Sequence, residues 1–374
     1  MLIPPAIDAH HNFWDPTSHD YPWLAESRAS LRRPYGPDDL LPELSTEHMH
    51  GSVLVQTLPS TEETAELLAI AERAPFVRGV VGWVDLTADD VATRIDELRA
   101  GPGGELLVGL RHRVFDEPDP LWLRRPEVRR GLAAVQQAGL VFDLQVRTRE
   151  LPAAAAVARA MPDLHFVLDH LACPPINSGD LSSWGRALLP LAGMPNVSAK
   201  LSGLVTEADW HTWSIDDLRH PVELAVDAFG PQRLMLASDW PTCLLAGAYS
   251  DAIDAVRYLL AELTRQEQDR IRGGTAVDVY DLANGDTDDD AYPLYRRLPR
   301  GASREAWCVG APARWRSGHN WVPRTLKGPH PPRPPLGRVG ILRRTRRVWE
   351  DRRSCSGGQE ALSARNPLRR RNSS

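Results

Sequence analysis

Arg233-Leu-Met-Leu-Ala-Ser-Asp-Trp-Pro-Thr-Cys-Leu244 opens with a short apolar run, Leu234 to Ala237, of the kind that a fully buried parallel strand requires. The run stops at Ser238-Asp239-Trp240-Pro241, where proline lacks the N–H that a central strand needs. Asp239 is therefore expected at the carboxyl end of a buried strand, held at a rim with apolar packing behind it. Parallel α/β folds place their chemistry there. A turn-forming Asp before Trp-Pro is the plainer alternative, and the other strands of the chain decide between the two.

Working outward from this stretch, similar runs recur between helix-like segments. Strands are predicted at Ala6–His10, Val53–Thr57, Val80–Asp85, Leu107–His112, Val141–Val146, His165–His170, Val197–Ser202 and Leu234–Asp239. Helices are predicted near 62–74, 87–99 and 126–138, with another beginning at Leu151-Pro and a last one ending near Gly273-Gly274. Eight βα units in about 285 residues match the arithmetic of a (β/α)₈ TIM barrel, an α/β fold. A doubly wound open sheet is the alternative, but no GxGxxG follows any strand.

The carboxyl ends of these strands carry His10 and Asn12, Gln56, Trp83 and Asp85, Arg111 and His112, Gln145, His170, Lys200 and Ser202, and Asp239. Random burial would not set a polar group at every strand end, whereas a barrel with its active site on that face would. Strand alternation predicts that Asp8, His10 and Asn12 share one face and that His11 turns away toward helix packing. His48, His50, His165, His211 and His220 fall in loops, helices or strand starts and are assigned no role.

Composition divides the chain. Residues 291–374 hold 20 of the 44 Lys+Arg but 4 of the 49 Asp+Glu, a net of +16, which leaves residues 1–290 at −21. An acidic body argues against a nucleic-acid-binding face on the main domain. The domain boundary is placed at 285/286. Residues 286–374 are rich in Pro, Arg, Gly and Ser and are predicted to be a disordered basic tail; a basic arm for acidic partners is the alternative. The four cysteines show neither zinc-ligand spacing nor a disulfide framework. With no signal peptide or membrane span in the sequence, a cytoplasmic protein is expected.

Five ordered motifs carry a family resemblance. Ile7-Asp-Ala-His-His-Asn-Phe-Trp-Asp-Pro16 with Tyr21-Pro-Trp-Leu24 resembles the opening of the amidohydrolase-2 family, in its lactonase-like branch. Gly109-Leu-Arg-His-Arg113 with Asp116-Glu-Pro-Asp-Pro120, Val167-Leu-Asp-His-Leu-Ala-Cys-Pro-Pro-Ile176, Ala199-Lys-Leu-Ser-Gly-Leu-Val-Thr-Glu207 and Ala237-Ser-Asp-Trp-Pro-Thr-Cys-Leu-Leu245 follow in order. The resemblance covers residues 5–283 and implies hydrolysis of a sugar-acid lactone, with a small-molecule lactone as the partner and no nucleic acid or membrane. A homo-oligomer is compatible with it. A decarboxylase of the aminocarboxymuconate-semialdehyde type and a catalytically inactive ligand-binding barrel are the alternatives.

The family's first strand usually ends His-x-His, whereas this chain has His10 and Asn12. Asn is a weak zinc ligand beside imidazole, so His10, His170 and Asp239 remain as the expected ligands of one divalent metal, Zn or Mn. A metal-independent mechanism stands beside that reading. Lactone hydrolysis needs a base for water and stabilisation of an oxyanion. Asp239 is expected to be the base, its pKa raised by burial near Trp240, with His10 and His170 beside it. Arg111, His112, Gln56, Trp83 and Gln145 are expected to bind substrate. Lys200, the one lysine before residue 290 against 23 arginines, is expected to bind substrate or stabilise charge.

Overall fold

The structure is a computed structural model that describes residues 4–282. The boundary at 285/286 and the basic tail lie outside the described residues. Eight parallel strands follow one another around a single sheet: β1 (Ile7–His11), β2 (Gly51–Val55), β3 (Val77–Gly82), β4 (Leu107–Arg113), β5 (Val141–Gln145), β6 (Phe166–Leu168), β7 (Val197–Leu201) and β8 (Leu234–Leu236). The gap between β8 and β1 is closed at the carboxyl end, where Asp239 N–H donates to the His10 carbonyl at 2.9 Å and Asn12 N–H to the Trp240 carbonyl at 2.7 Å. The predicted (β/α)₈ barrel is the observed fold.

Helices connect the strands, and the local sequence explains where several begin. Ser60 caps the helix Thr61–Arg73 by accepting from Glu63 N–H, and Thr264 with Glu267 forms a capping box on Arg265–Asp269. Pro37 and Pro126 each open a helix at a position where no N–H is needed. None of the helices among the described residues is long and apolar enough to cross a membrane.

The apolar side chains fall into two layers. One lies between the strands and the helices. The other fills the barrel, where Val53, Val55, Val81, Val167 and Met235 meet Tyr280 and Leu282 from the end of the described chain. Gly273-Gly274, expected to end the last helix, instead belongs to a π-helical turn, Arg270–Gly274, that runs on into the helix Thr275–Val279. The glycine serves a close approach: a Cβ at Gly273 would lie 1.8 Å from the Pro5 carbonyl oxygen, so the chain passes directly against the lead-in to β1.

Strands β6 and β8 are shorter than predicted, three residues each. The ladder stops early because the chain turns left-handed beyond it, at His170 (φ 51°) through Cys173 and at Asp239 (φ 57°). A second departure lies in β1. Its register against β2 shifts between Asp8 and His11, which breaks simple alternation. Asp8 therefore does not share a face with His10. It turns to the helix layer, where it accepts from Ser238 N–H, the Ser238 hydroxyl and the Tyr249 hydroxyl. His11 points away from the barrel centre as expected, its Nε2 2.9 Å from the Ser52 hydroxyl.

Candidate active site

At the carboxyl ends of the strands lies a cavity of about 830 Å³, open mouth included. His10, His170 and Asp239 stand together at its base. Asp239 Oδ1 is 3.9 Å from His10 Nε2 and 3.8 Å from His170 Nε2, and the two imidazoles lie 4.5 Å apart between centroids. Asp239 reaches this place because its left-handed backbone turns the side chain inward directly after β8, a conformation that Asp tolerates better than most residues.

The backbone beneath His170 is less ordinary. His170, Leu171, Ala172 and Cys173 all have φ between 51° and 60°. For residues with a Cβ, each such conformation costs roughly 1–2 kcal/mol. None of the four is β-branched, which keeps the turn attainable.

Hydrogen bonding orients the histidines. His170 Nδ1 lies 2.8 Å from the Ser202 hydroxyl, so its Nε2 is the nitrogen turned to the cavity. His10 Nδ1 lies 3.3 Å from Asp169 Oδ1 and 3.2 Å from Lys200 Nζ, while Arg111 donates toward its Nε2 at 3.3 Å. The Arg111 guanidinium also donates to Asp169 Oδ2 at 3.0 Å and to the Gln56 carbonyl.

Burial dominates the electrostatics. It pushes Asp239 well above the ordinary carboxylate range, with nearby Asp169 adding and Arg111 opposing. His170 is pulled down to about 4, again by burial, and His10 falls well below its usual value. Burial alone would raise Asp169, but Lys200, His10 and Arg111 together hold it well below the usual range. Asp143 is pushed up to about 6 by burial, against the pull of Lys200.

The expected substrate residues separate into those on the cavity wall and those behind it. Arg111 and Gln145 line the cavity. Gln56 stands behind Arg111, donating from Nε2 to the Arg111 carbonyl at 3.2 Å. Lys200 is fully buried one layer below, bridging Asp143 (2.6 Å) and Asp169 (2.9 Å). His112 and Trp83 are not brought to the cavity. Successive residues of a strand face opposite ways, so Arg111 points in and His112 out. There His112 accepts from the Trp83 indole N–H at 3.1 Å, stacks on Trp122 at 4.1 Å and meets Glu117 at 2.8 Å.

Sequence reasoning missed several wall residues. Arg113 shares the parity of Arg111 on β4, and counting by two would have found it. Its guanidinium and that of Arg147 lie 5.2 and 5.3 Å from the Phe115 ring, and Arg147 pairs with Glu207 at 3.2 Å. Arg28 arrives from the loop after β1, which carries no periodic signal; it donates to the Trp23 carbonyl at 3.3 Å. Asp143 and Asp169, beneath the site, were likewise unassigned.

The donor set suits a divalent metal. The ligand atoms of His10, His170 and Asp239 all lie within 4.8 Å of one another, and the ring nitrogen of His170 opposite its cavity-facing Nε2 is occupied by a hydroxyl. Asn12 donates from Nδ2 to the Val55 carbonyl at 2.7 Å, which leaves the amide oxygen for the cavity it lines.

Known proteins resemble this chain over the whole barrel. L-fucono-1,5-lactonase of Burkholderia multivorans is 40% identical over 288 residues, covering 74% of this chain and 96% of that protein. L-fucono-1,5-lactonase of Burkholderia ambifaria is 42% identical over 247 residues, covering 66% and 83% respectively. A crystal structure of an amidohydrolase from Burkholderia multivorans with bound zinc superposes with a TM-score of 0.70 at 38% identity, covering 74% of this chain and 99% of that one. The family model described as amidohydrolase matches residues 7–282, the extent of the barrel and its rim loops, and on that match the chain belongs to the amidohydrolase family.

Proposed function

We propose that the protein hydrolyses a sugar-acid lactone, a six-membered aldonolactone of the L-fucono-1,5-lactone kind, with Asp239 as the base that activates water. The observation that carries this reading is the Asp239 carboxylate, raised in pKa by burial and set 3.8–3.9 Å from two imidazoles in the cavity at the carboxyl ends of the strands. A base tuned upward toward the working pH suits proton abstraction from water. The relatives of this chain act on such lactones by name.

His10, His170 and Asp239 would hold a zinc or manganese ion. When bound, such an ion polarises the lactone carbonyl and lowers the pKa of water. The chain's own residues do the rest. Asp239 takes a proton from water as oxygen attacks the lactone carbonyl carbon. Arg111, on the cavity wall, offers its fixed positive charge to the oxyanion. When the ring C–O bond breaks, the proton held by Asp239 passes to the departing alkoxide, giving the open hydroxy acid. Arg28, Arg113 and Arg147 supply donors for the ring hydroxyls, and Phe115 gives an apolar face against which a sugar ring can lie.

One observation favours a metal-independent variant of the same reaction. Arg111 meets the His10 Nε2 lone pair at 3.3 Å, the lone pair that a metal would use. The two readings separate in one experiment on the full chain: lactone opening followed with a pH-indicator dye, with and without chelator, alongside metal content. Chelator-sensitive turnover with one equivalent of metal supports the first; turnover indifferent to chelator supports the second. In either case Asp239→Asn is expected to lower kcat by about 10²–10⁴-fold. Unchanged turnover in Asp239→Asn removes Asp239 as the base.

A further inference from the structure

We propose that Trp184, on the helix Ser182–Ala192 outside the barrel, is a positioning residue for His170. It would act by clamping the left-handed turn that carries the histidine. The inference rests on the proposed role of His170 in the site.

The turn is four residues long, His170 to Cys173, every one with positive φ and none a glycine. Left to itself, such a segment relaxes toward right-handed or extended backbone, because its Cβ atoms crowd the following carbonyls. Relaxation at His170 would swing its Cα–Cβ bond and carry the imidazole away from Asp239. Something must hold the turn, and its internal bond, Cys173 N–H to the His170 carbonyl at 2.8 Å, closes only one loop of it.

The Trp184 indole N–H donates to the Leu171 carbonyl at 2.7 Å. Both residues are fully buried, so no water can replace that donor. The bond fixes the Leu171–Ala172 peptide, in the middle of the left-handed turn, and Trp184 shares the buried core with Leu171 and Ala172. The His170 ring itself is confined by the two residues that follow β7. Ser202 meets Nδ1 at 2.8 Å, and the backbone at Gly203 passes so near that a Cβ there would lie 2.9–3.1 Å from the imidazole. His170 is thus held directly through its own side chain and indirectly through the Leu171–Ala172 peptide of the turn that carries it. Trp184 supplies the second hold without touching the cavity.

The test uses the full-length protein with ¹⁵N-labelled histidine. Trp184→Phe keeps an aromatic ring and removes the N–H. Well below its melting temperature, the variant is expected to lose about 10- to 100-fold in kcat with KM within about threefold, the signature of a misplaced reacting group. The His170 imidazole resonances, assigned by their disappearance in His170→Gln, are expected to shift or broaden while those of His50 and His165 stay in place. Adding Ala172→Gly, which makes left-handed backbone easy at the φ 60° position, is expected to restore part of the lost kcat. If Trp184→Phe does not fold, benzothienylalanine at position 184 keeps the shape and removes only the N–H. A folded N–H-less protein with kcat within twofold of the parent and unmoved His170 signals overturns the proposal. Failure of the parent to open any lactone overturns the functional reading instead, and the imidazole signals still report on the clamp.

Discussion

Asp239 owes its position to backbone geometry and its pKa to burial, and both can be read in a pH profile. Its carboxylate must be ionised to accept a proton, and burial raises its pKa, so activity is lost as pH falls through that raised value. His170 is pulled down to about 4 and His10 well below its usual value, both by burial, so burial favours the neutral imidazoles. For the metal-independent reaction, the expected kcat/KM profile for L-fucono-1,5-lactone, corrected for spontaneous opening, is an ascending limb centred well above pH 3.8. A profile flat down to pH 4 would contradict the assignment of Asp239 as base. Residues of this kind were legible because polar side chains at the ends of apolar strands have few other reasons to be there. Arg28 was not legible, since nothing in a loop sequence says which of its side chains turns inward.

Among the elements, β7 shows how one side chain ties the barrel interior together. Lys200 bridges Asp143 and Asp169, lies 3.2 Å from His10 and sits over the Tyr280 ring at 5.6 Å, while the Tyr280 hydroxyl donates to Asp143 at 2.9 Å. The last helical segment is in this way tied to the underside of the site. Lys200→Met leaves buried Asp143 without its cation, while Asp169 keeps Arg111, and is expected to destabilise the fold by about 3–5 kcal/mol, measured by urea unfolding. Loss of less than about 1 kcal/mol would mean that Asp143 simply takes a proton, which its pKa near 6 makes easy. The sequence singled out Lys200 by its rarity, yet its depth followed from strand parity and barrel curvature. The bulge in β1 had no local sign at all: Asp8-Ala-His-His reads as plain alternation, and only pairing with β2 shows the extra residue.

For the molecule as a whole, the charge asymmetry and the family match together locate the function. The match covers residues 7–282, and the basic excess lies beyond it. Removing residues 286–374 is therefore expected to leave kcat and KM within about twofold of the parent in the same lactone assay; a larger loss would give the basic segment a part in the reaction. Acid stability has a contribution away from the site as well. His50, whose Nδ1 accepts from Ala6 N–H at 2.9 Å beside the start of β1, is pulled down to about 4 by burial. Between pH 6.5 and 4 the unfolded chain binds the proton that the folded chain refuses, so stability is full above pH 6.5 and falls as pH drops. The share of His50 in the loss over that window is expected to be on the order of 2–3 kcal/mol, and His50→Gln should lessen the total loss by about that much in chemical denaturation at pH 7 and pH 4.5, the buried His10, His11 and His170 supplying the rest.

What the sequence determined by itself was the architecture and the end of the barrel at which chemistry occurs. Apolar runs of strand length, separated by helices, leave few arrangements in which every backbone group is paired, and a closed parallel barrel is one of them. His10, His170 and Asp239 were readable for the same reason: burial is costly for an ionisable side chain unless it has partners or a task. Tertiary structure alone decided depth and handedness. It put His112 behind the wall and Lys200 beneath the floor, turned Asp8 away through a bulge, and wound His170–Cys173 left-handed. These outcomes depend on bonds between residues distant in the chain, such as Trp184 to Leu171 across the helix layer and Ser238 to Asp8 around the barrel, which no local pattern encodes.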